Sequence, residues 1–471
     1  MRSHNVTLSS PLLSVIEDVV KSEGVSRERL SSAVLELSRL FTKERSALIG
    51  PYLESPAFAA AYLNYFLPVN LSKIQVLLDE MPVHQADEPF WVLDIGSGPG
   101  TGALAVLDWW HRRGSLSGLS VVAVDRSMTA LHQAESLWSK YCRTADLTGS
   151  SLQTSKVDVA RTGCVKEVEP RAPFNLIILA NCLNEIHADA TDLIAMRSRL
   201  VMELLALLAP QGTIMVVEPA LRETSRALHQ VRDRLLQEKR CTVYSPCLHE
   251  NNCPALINPY DWCHEERAWE PPVSIQEIDG EVGFIKDALK FSYLLFRKDG
   301  KTIVDRRPDV YRVVSELREL KGEKRAWLCN ETGRPEIGRQ DRLASPQNAA
   351  FDEWHRGAIV QIEKIIHKER RGKGTRWSQQ IYCLRVPWLF MNTRESLFYT
   401  SKLIQNVDHG ATGPSTGRES VVLPLSIARP HENSISIHFV SVSSDHRSGG
   451  NSKSRIPHHA CCAELEHSRI R

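Results

Sequence analysis

One short stretch constrains the fold more than any other, the run Phe-Trp-Val-Leu-Asp-Ile-Gly-Ser-Gly-Pro-Gly-Thr-Gly at residues 90–102. Its apolar start predicts a buried strand, and Asp94 stands at the carboxyl end of that strand. Gly96, Gly98 and Gly100 follow, and without side chains they let a ligand approach the backbone. The apolar run after them opens a helix, whose first N–H groups lack partners within the helix. This order is typical of a nucleotide-type cofactor site, and an ordinary tight turn is the alternative.

A second strand that ends in an acid makes the cofactor interpretation more specific. Residues 120–125, Ser-Val-Val-Ala-Val-Asp, predict a buried strand ending in Asp125, where a carboxylate can accept both ribose hydroxyls. The two strands together resemble the class I S-adenosylmethionine-dependent methyltransferases more than the NAD enzymes. The resemblance implies an α/β, Rossmann-like domain. In it, Asp94 and the glycine turn face the methionine and ribose of the cofactor, while Asp125 holds the ribose.

The chain continues with the elements that such a domain needs. We expect a third strand over 152–158, with Asp158 near the adenine or simply solvated, and a fourth strand over 175–180. Asn181 follows the fourth strand, at the sheet edge that faces the methyl group. The Asn/Asp-Pro-Pro-Tyr tetrad of methyltransferases that act on exocyclic amines is absent there, so no catalytic residue is assigned. The predicted cofactor-binding residues are Asp94, Gly96, Gly98, Gly100, Asp125, Asp158 and Asn181.

The composition and charge of the chain exclude some classes of protein. The 471 residues are 42% hydrophobic and 24% charged, enough for two or three domains, and a net charge of +2 does not by itself indicate nucleic-acid binding. No apolar run reaches the roughly 18 residues of a membrane span, and the first residues resemble neither a signal peptide nor a transit peptide. We expect a monomer without membrane association, in the bacterial cytoplasm or, in a eukaryote, in the mitochondrial matrix.

The second informative region is rich in cysteine and spans residues 241–269. Thiolates gathered on a proline-interrupted loop suit a soft metal, either tetrahedral zinc or an iron–sulfur cluster. The spacing is not that of a zinc ribbon, because no Cys-x-x-Cys knuckle occurs. Buried or incidental cysteines are the remaining alternative. The cysteines concerned are Cys241, Cys247, Cys253 and Cys263.

The residues of this region also resemble a known family. Pro246-Cys247-Leu248-His249-Glu250, then Cys253-Pro254 and Trp262-Cys263-His264, are similar to the mitochondrial ribosomal small-subunit protein twenty-two family and its bacterial relatives. These are methyltransferase-like factors that bind the small ribosomal subunit during its assembly. The resemblance spans about residues 40–345 and implies a [4Fe–4S] cluster on Cys247, Cys253, Cys263 and Cys329, with Cys241 as a spare. It also implies the small subunit and its rRNA as partners.

A fourth ligand from a later segment of the chain, Cys329, is physically reasonable for such a cluster. Strands are expected at 290–296 and 325–328, so that Cys329 would come from a rigid element and the cluster would tie two distant segments together. We expect a structural cluster, because the Cys-x3-Cys-x2-Cys motif of a radical-forming cluster is absent.

Basic residues are frequent in two places. On a helix that begins near Thr224, they form either a solvated face or a contact to an acidic partner. From 297 onward they predict a solvated face or, given the family resemblance, a surface that binds RNA phosphates. The first group is Arg226, Arg232 and Arg234, and the second is Arg297, Lys298, Lys301, Arg306, Arg307, Arg312, Arg318, Lys321, Lys324 and Arg325.

These observations predict four segments and three possible functions. The segments are a helical N-terminal domain (1–84), a Rossmann-like methyltransferase domain (85–240), a cysteine-rich, RNA-facing region (241–376) and a poorly structured tail (377–471). The favoured function is a small-subunit assembly or translation factor with an S-adenosylmethionine-binding fold and a [4Fe–4S] cluster. The alternatives are an active rRNA methyltransferase and a zinc-containing small-molecule methyltransferase.

Overall fold

The computed structural model describes residues 7–47, 52–82, 88–114, 118–161, 163–368 and 378–384. All of these residues lie in the first of two units into which the chain divides, residues 1–398. The predicted tail therefore lies outside the described residues, apart from 378–384. Across the described part of the chain, no helix is both long and apolar enough to cross a membrane.

The larger sheet is mixed and has eight strands. Five parallel strands form its main part: β1 (Phe90–Ile95), β2 (Leu119–Asp125), β3 (Ser150–Lys156), β4 (Phe174–Ala180) and β5 (Leu208–Pro219). Three more complete it: β6 (Thr242–Ser245), β7 (Glu265–Ala268) and β8 (Ala288–Arg297). β8 runs antiparallel to β5, and its other edge pairs with both β6 and β7. The order is β3-β2-β1-β4-β5-β8-β6, which confirms the predicted α/β class.

Helices cover both faces of this sheet because successive strand residues point to opposite sides. Val92 belongs to one apolar core and Leu93 to the other. Helices α5 (Thr101–Arg112) and α6 (Met128–Thr144) pack into the first core, and α7 (Leu193–Leu207) and α8 (Arg222–Gln237) into the second. The first four strands of the sheet lie within a few residues of the predicted ones.

The N-terminal segment is helical, as its periodicity predicts. It contains α1 (Ser10–Ser22), α2 (Arg27–Thr42), α3 (Pro56–Ala61) and α4 (Leu67–Glu80), and these helices contribute to the same core as α5 and α6. The boundary of a separate domain at residue 84 stays a prediction.

The helical run of the N-terminal segment continues past Pro68. Tyr62–Phe66 form one wide π-helical turn, closed by the Leu67 N–H bonding to the Tyr62 carbonyl oxygen. Pro68 then occupies the first turn of α4, where a missing N–H costs little, so the chain continues as a helix to Glu80.

A smaller, six-stranded sheet follows helix α9 (Val273–Val282). Its strands are β9 (Val310–Val313), β10 (Arg318–Leu320), β11 (Glu323–Cys329), β12 (Glu336–Gln340), β13 (Ile359–Lys368) and β14 (Ser378–Leu384). They run in the order β10-β11-β9-β13-β14, with β12 on β11, and Leu328, Ile337 and Phe351 lie in their core. The predicted strands at 290–296 and 325–328 are confirmed in β8 and β11, and β11 ends at Cys329.

Candidate cofactor and cysteine sites

The glycine turn joins β1 to α5, and each of its glycines has positive φ. The values are 62° at Gly96, 53° at Gly98 and 89° at Gly100. A Cβ added at Gly96 would lie 2.6 Å from the Cβ of Cys182, and one at Gly100 would lie 3.0 Å from the Cβ of Ala134. A Cβ at Gly98 would meet nothing within 4 Å. The protein's own packing therefore requires Gly96 and Gly100, whereas Gly98 borders open space that a ligand can use.

Asp94 holds the turn from inside. It is 1% exposed, and its Oδ2 accepts hydrogen bonds from the Ser97 hydroxyl at 2.6 Å and the Ala103 N–H at 2.9 Å. Burial raises the pKa of this carboxyl to about 6, although these hydrogen bonds oppose the rise. A Cβ at Gly102 would collide with the carboxylate. Asp94 thus fixes the shape of the turn and caps α5, and a direct contact with a cofactor stays a prediction.

Asp125 ends β2 and ties that strand to the turn. Its Oδ2 accepts from the Gly98 N–H at 2.9 Å, and its Oδ1 accepts from the Ser127 N–H at 2.8 Å. A carboxylate has about four acceptor sites, so capacity for ribose hydroxyls remains. Asp158 is exposed beyond the end of β3, and its Oδ1 accepts from the Ala160 N–H at 3.0 Å. Its predicted contact with an adenine stays a prediction.

After the end of β4 the chain forms a corner in which Asn184 is hydrogen-bonded on all sides. Asn181 has a left-handed backbone (φ 57°), and its carbonyl accepts from the Asn184 side-chain amide at 3.0 Å. The Asn184 N–H donates to Glu218 Oε1 at 3.2 Å, and its carbonyl accepts from Arg197 at 2.6 Å. Its side-chain oxygen accepts from Arg45, which comes from the segment after α2. Each polar group of Asn184 therefore has a partner within the protein.

The same corner contains a buried acid and a buried thiol. Burial raises the pKa of Glu218 to about 8, although hydrogen bonds from Asn184 oppose the rise. Its Oε2 is buried and has no hydrogen-bond partner among the described residues. Burial and the charge of Glu218 raise the pKa of Cys182 well above its ordinary value. At neutral pH most of Glu218 therefore holds its proton, and Cys182 is a thiol that offers no thiolate nucleophile.

Aromatic residues from the N-terminal segment lie next to this site. The hydroxyl of Tyr62 is 3.5 Å from that of Thr101, at the start of α5, and its ring centroid is 6.0 Å from that of Tyr52. Tyr65 is 1% exposed and donates to Asp279 at 2.6 Å. Tyr62, Tyr65 and Phe66 all belong to the core cluster or pack against it, which confirms them as core residues. The placement of Arg45 and Tyr52 was not predicted.

The cysteine-rich loop and the end of β11 meet at one cavity. Cys247, Cys263 and Cys329 line it, and its volume is about 450 Å³ with the open mouth included. Cys253 lies close enough for its charge to raise the pKa of the other three thiols. Three of the four predicted ligands thus line one cavity, and the fourth, Cys253, lies near them. Cys241 packs into the apolar core beneath β6, which agrees with its assignment as a spare.

The pKa values of the four thiols limit which group can bind at this cavity. Burial raises the pKa of each of the four thiols, whereas Arg232 lowers the pKa of Cys247, Cys253 and Cys329. Four thiolates can coexist here only with further positive charge, which a bound metal group supplies. The described residues contain no set of three or more His, Cys, Asp or Glu side chains placed to hold a metal ion.

Helix α8 holds the loop that carries the first three cysteines. Arg232 is 0% exposed and donates to the carbonyl oxygens of His249 at 2.6 Å and Asn251 at 2.8 Å. The neighbouring Asp233 accepts from the Cys253 N–H at 2.9 Å. The prediction of a solvated or partner-binding face is wrong for Arg232, because an irregular loop leaves carbonyl oxygens unpaired and a buried guanidinium satisfies them. Neither Arg232 nor Asp233 was predicted to have this role.

Arg226 lies six positions before Arg232 on α8, and it binds carbonyl oxygens of the loop between Ala255 and Asp261. Its Nη1 donates to the carbonyl oxygens of Ala255 at 3.2 Å, Asn258 at 2.8 Å and Asp261 at 2.7 Å. Its Nη2 donates to the Leu256 carbonyl at 3.1 Å. The prediction is therefore also wrong for Arg226. Arg234, whose side chain is 48% exposed, does lie on the solvated face.

Three histidines beside the cysteines are neutral at physiological pH. Burial lowers the pKa of His229, His249 and His264 to about 4. The Nε2 of His249 lies 3.5 Å from the Cys329 sulfur. Arg312 also reaches the cavity and donates to the buried carboxylate of Glu265 at 2.6 Å.

Most basic residues after 297 are paired inside the protein. Their pairs are Arg297 with Asp299, Arg306 with Glu250, Arg307 with Asp309, Arg312 with Glu265, Arg318 with Glu336, Lys324 with Glu319 and Asp352, and Arg325 with Glu323 and Glu336. Lys298 donates to the Leu208 carbonyl at 2.5 Å. Arg297 and Arg312 are buried, so both predicted alternatives, a solvated face and a phosphate-binding surface, are wrong for them. For the other paired residues the arrangement fits the solvated face, because charges already paired attract phosphates weakly.

Comparison with known proteins gives one family. The profile described as "Mitochondrial small ribosomal subunit Rsm22" matches residues 56–337. No curated protein matches the sequence.

Several solved structures share a low similarity with the chain. The fibrillarin/Nop5p complex is 10% identical over 49% of this chain and 80% of that chain, with a TM-score of 0.28. NSun6 from Pyrococcus horikoshii with SFG is 12% identical over 50% and 52%, with a TM-score of 0.30. The plantazolicin methyltransferase BpumL in complex with SAH is 12% identical over 60% and 99%, with a TM-score of 0.27. The chain thus spans about half the length of NSun6.

Proposed function

The chain belongs to the mitochondrial small ribosomal subunit Rsm22 family, and on that premise we propose that it is a factor of the small ribosomal subunit that acts in assembly or translation. The family match includes both the glycine turn and the four cysteines. The observation that carries the proposal is a cavity beside the large sheet that Cys247, Cys263 and Cys329 line, with Cys253 close enough for its charge to act on them.

We propose S-adenosylmethionine as the ligand of the glycine turn. A parallel sheet with one antiparallel strand inserted beside β5 is the strand order of class I methyltransferases, which the sequence resembles. The open space at Gly98 admits the cofactor, Asp125 accepts ribose hydroxyls, and Asp158 and Asn181 border the adenine and methionine ends. Asp94 contributes by holding the turn. When bound, the cofactor supplies an electrophilic methyl group.

The corner near Asn184 favours cofactor binding without methyl transfer. In this corner the polar groups of Asn184 are used by Arg45, Arg197, Asn181 and Glu218. Burial raises the pKa of Glu218 to about 8, and its Oε2, which has no partner among the described residues, is buried, so in this structure an acceptor does not reach that oxygen. The active rRNA methyltransferase is therefore the less supported alternative.

We propose that the four cysteines hold a [4Fe–4S] cluster. Such a cluster binds each thiolate to a different iron, so its ligands surround a cavity instead of converging on one ion. Cys329 comes from the rigid end of β11, while the other three lie on a loop that α8 holds in place. The cluster joins these segments and contributes folding energy, which is a structural role.

The partner is the small ribosomal subunit, and rRNA contact is proposed only as part of that complex. The paired charges after residue 297 and the net charge of +2 give little support to tight binding of free RNA. Because the family is described as mitochondrial, we propose the mitochondrial matrix as the place of action in a eukaryote.

The test is co-sedimentation of the purified chain with purified small ribosomal subunits, with labelled S-adenosylmethionine present. We expect the chain and one bound cofactor per chain to sediment with the subunits, and no label to enter the rRNA or proteins. Failure to sediment with subunits would contradict the proposed function. Methyl incorporation that Gly98→Ala abolishes would instead establish the methyltransferase alternative.

A further inference from the structure

The loop between Cys253 and Cys263 presents two large apolar side chains to solvent. Ile257 is 85% exposed and Tyr260 is 75% exposed, and they stand three positions apart. Exposed apolar residues that occur singly need no explanation, and Val273, the first residue of α9, and Ile285, after its end, are of that kind. Ile257 and Tyr260 differ from these single residues, because they lie together on one short loop beside the proposed cluster. We call residues 254–262 the anchor loop.

The anchor loop is held in one shape by its polar groups. Arg226 binds four of its carbonyl oxygens, and the Tyr260 N–H donates to Asn258 Oδ1 at 3.0 Å. The Trp262 indole donates to the Ala220 carbonyl at 3.1 Å, next to the end of β5, and Asp261 pairs with Arg334. The polar groups thus face inward and the apolar side chains outward. A loop already ordered in this way loses little entropy on binding.

The charge around the anchor loop favours a protein partner over RNA. No lysine or arginine occurs between residues 241 and 264, and the two acids of this segment, Glu250 and Asp261, are paired with Arg306 and Arg334. The guanidinium groups of Arg226 and Arg334 are engaged by the loop itself. A phosphate backbone requires free cations, whereas an aromatic and an aliphatic residue inserted in a desolvated pocket are typical of protein–protein hot spots.

We propose that the anchor loop docks into an apolar pocket on a protein of the small ribosomal subunit, with Ile257 and Tyr260 as the two inserted side chains. This inference rests on the proposed function, since it locates a contact within the proposed complex. Cys253 and Cys263 flank the anchor loop, so the proposed cluster and the docking surface are neighbours in sequence.

The experiment measures the affinity of labelled full-length chain for purified small subunits and, separately, for protein-free small-subunit rRNA. The test variant is Ile257→Ser/Tyr260→Ser, and the matched control is Val273→Ser/Ile285→Ser, which removes equally exposed apolar groups elsewhere. We expect the test variant to bind subunits about tenfold more weakly or worse, as the loss of hot-spot residues predicts. We expect the control to bind within about twofold of wild type, since exposed substitutions away from an interface have small effects.

A further variant, Tyr260→Phe, keeps the ring and should bind subunits like wild type, because apolar burial drives the contact. Melting temperatures of all variants should match wild type, since the changed side chains are exposed. Equal binding of the test variant and wild type to subunits would overturn the proposal. So would an equal loss of affinity for protein-free rRNA, because the loop would then contact RNA. If wild type itself does not bind subunits, the proposed function fails and the docking proposal fails with it.

Discussion

The guanidinium of Arg232 donates to the carbonyl oxygen of His249 at 2.6 Å, in a position where neither residue is more than 3% exposed. His249 lies between Cys247 and Cys253 in sequence, so this contact connects helix α8 with the loop that carries the cysteines. The ligands of the proposed cluster are therefore placed by protein contacts as well as by any metal group.

Replacing Arg232 should be costly. Arg232→Ala leaves the carbonyl oxygens of His249 and Asn251 without a donor and removes the partner of Asp233. We expect a loss of about 3 kcal/mol in the free energy of unfolding, measured by urea denaturation. The control is Arg234→Ala on the same helix, whose exposed ion pair with Asp192 should be worth less than about 1 kcal/mol. Equal losses in the two variants would show that Arg232 does not hold the loop.

Two glycine substitutions separate packing from cofactor binding. Gly98→Ala meets no atom within 4 Å, so we expect only backbone strain of about 1 kcal/mol but at least about tenfold weaker S-adenosylmethionine binding. Gly96→Ala collides with Cys182 and should destabilise the fold more, by roughly 2–4 kcal/mol. Calorimetric titration and thermal melting measure the two effects. Unchanged affinity in a folded Gly98→Ala protein would argue against a cofactor at this turn.

The buried acid Glu218 makes a testable contribution to pH dependence. Its pKa rises from the ordinary 4.5 to about 8 in the folded protein, so between these values the folded state holds a proton that the unfolded state has lost. The contribution of Glu218 to the free energy of unfolding is therefore fully present below about pH 4.5, and it is lost as the pH rises to about 8.

Glu218→Gln removes that titration. Between pH 5.5 and 8 we expect the variant's unfolding free energy to fall less steeply than that of wild type, by up to about 1.4 kcal/mol per pH unit. Urea denaturation across this range measures the slope. Glu223→Gln, at an exposed position on α8, is the control and should leave the slope unchanged. Parallel slopes for wild type and Glu218→Gln would mean that Glu218 is ionised in the folded state.

Loss of a proposed cluster ligand should lower stability as well as any activity. We expect Cys247→Ser and Cys253→Ser to lose roughly 3 kcal/mol or more, because the cluster contributes folding energy to a loop with little secondary structure. Cys142→Ser, on α6 and away from the cavity, is the matched control. Unchanged melting of both ligand variants, measured without oxygen, would remove the structural role.

Local patterns predicted the parts of the fold that local chemistry determines. Short stretches of sequence determine the apolar strands, the glycine turn and the acids at the strand ends, and β1, β2, β3 and β4 agree with the predicted strands within a few residues. The late partner Cys329 was implied by the family resemblance and not by a local pattern, and the structure places it at the same cavity as Cys247.

What the sequence did not predict depends on contacts between distant residues. Arg45 and Asn184 are 139 positions apart, and no periodicity indicates that they meet. The arginines of α8 looked like a solvated face because their carbonyl partners lie on a loop of irregular structure. The basic residues after 297 looked available for RNA because their acidic partners come from neighbouring strands and turns.

The central claim is that Cys247, Cys253, Cys263 and Cys329 bind a [4Fe–4S] cluster. The most direct test is the iron, sulfide and zinc content and the visible spectrum of protein purified without oxygen. We expect about four irons and four sulfides per chain, with broad brown absorption that Cys247→Ser and Cys329→Ser abolish. One zinc per chain with no iron or sulfide would contradict it.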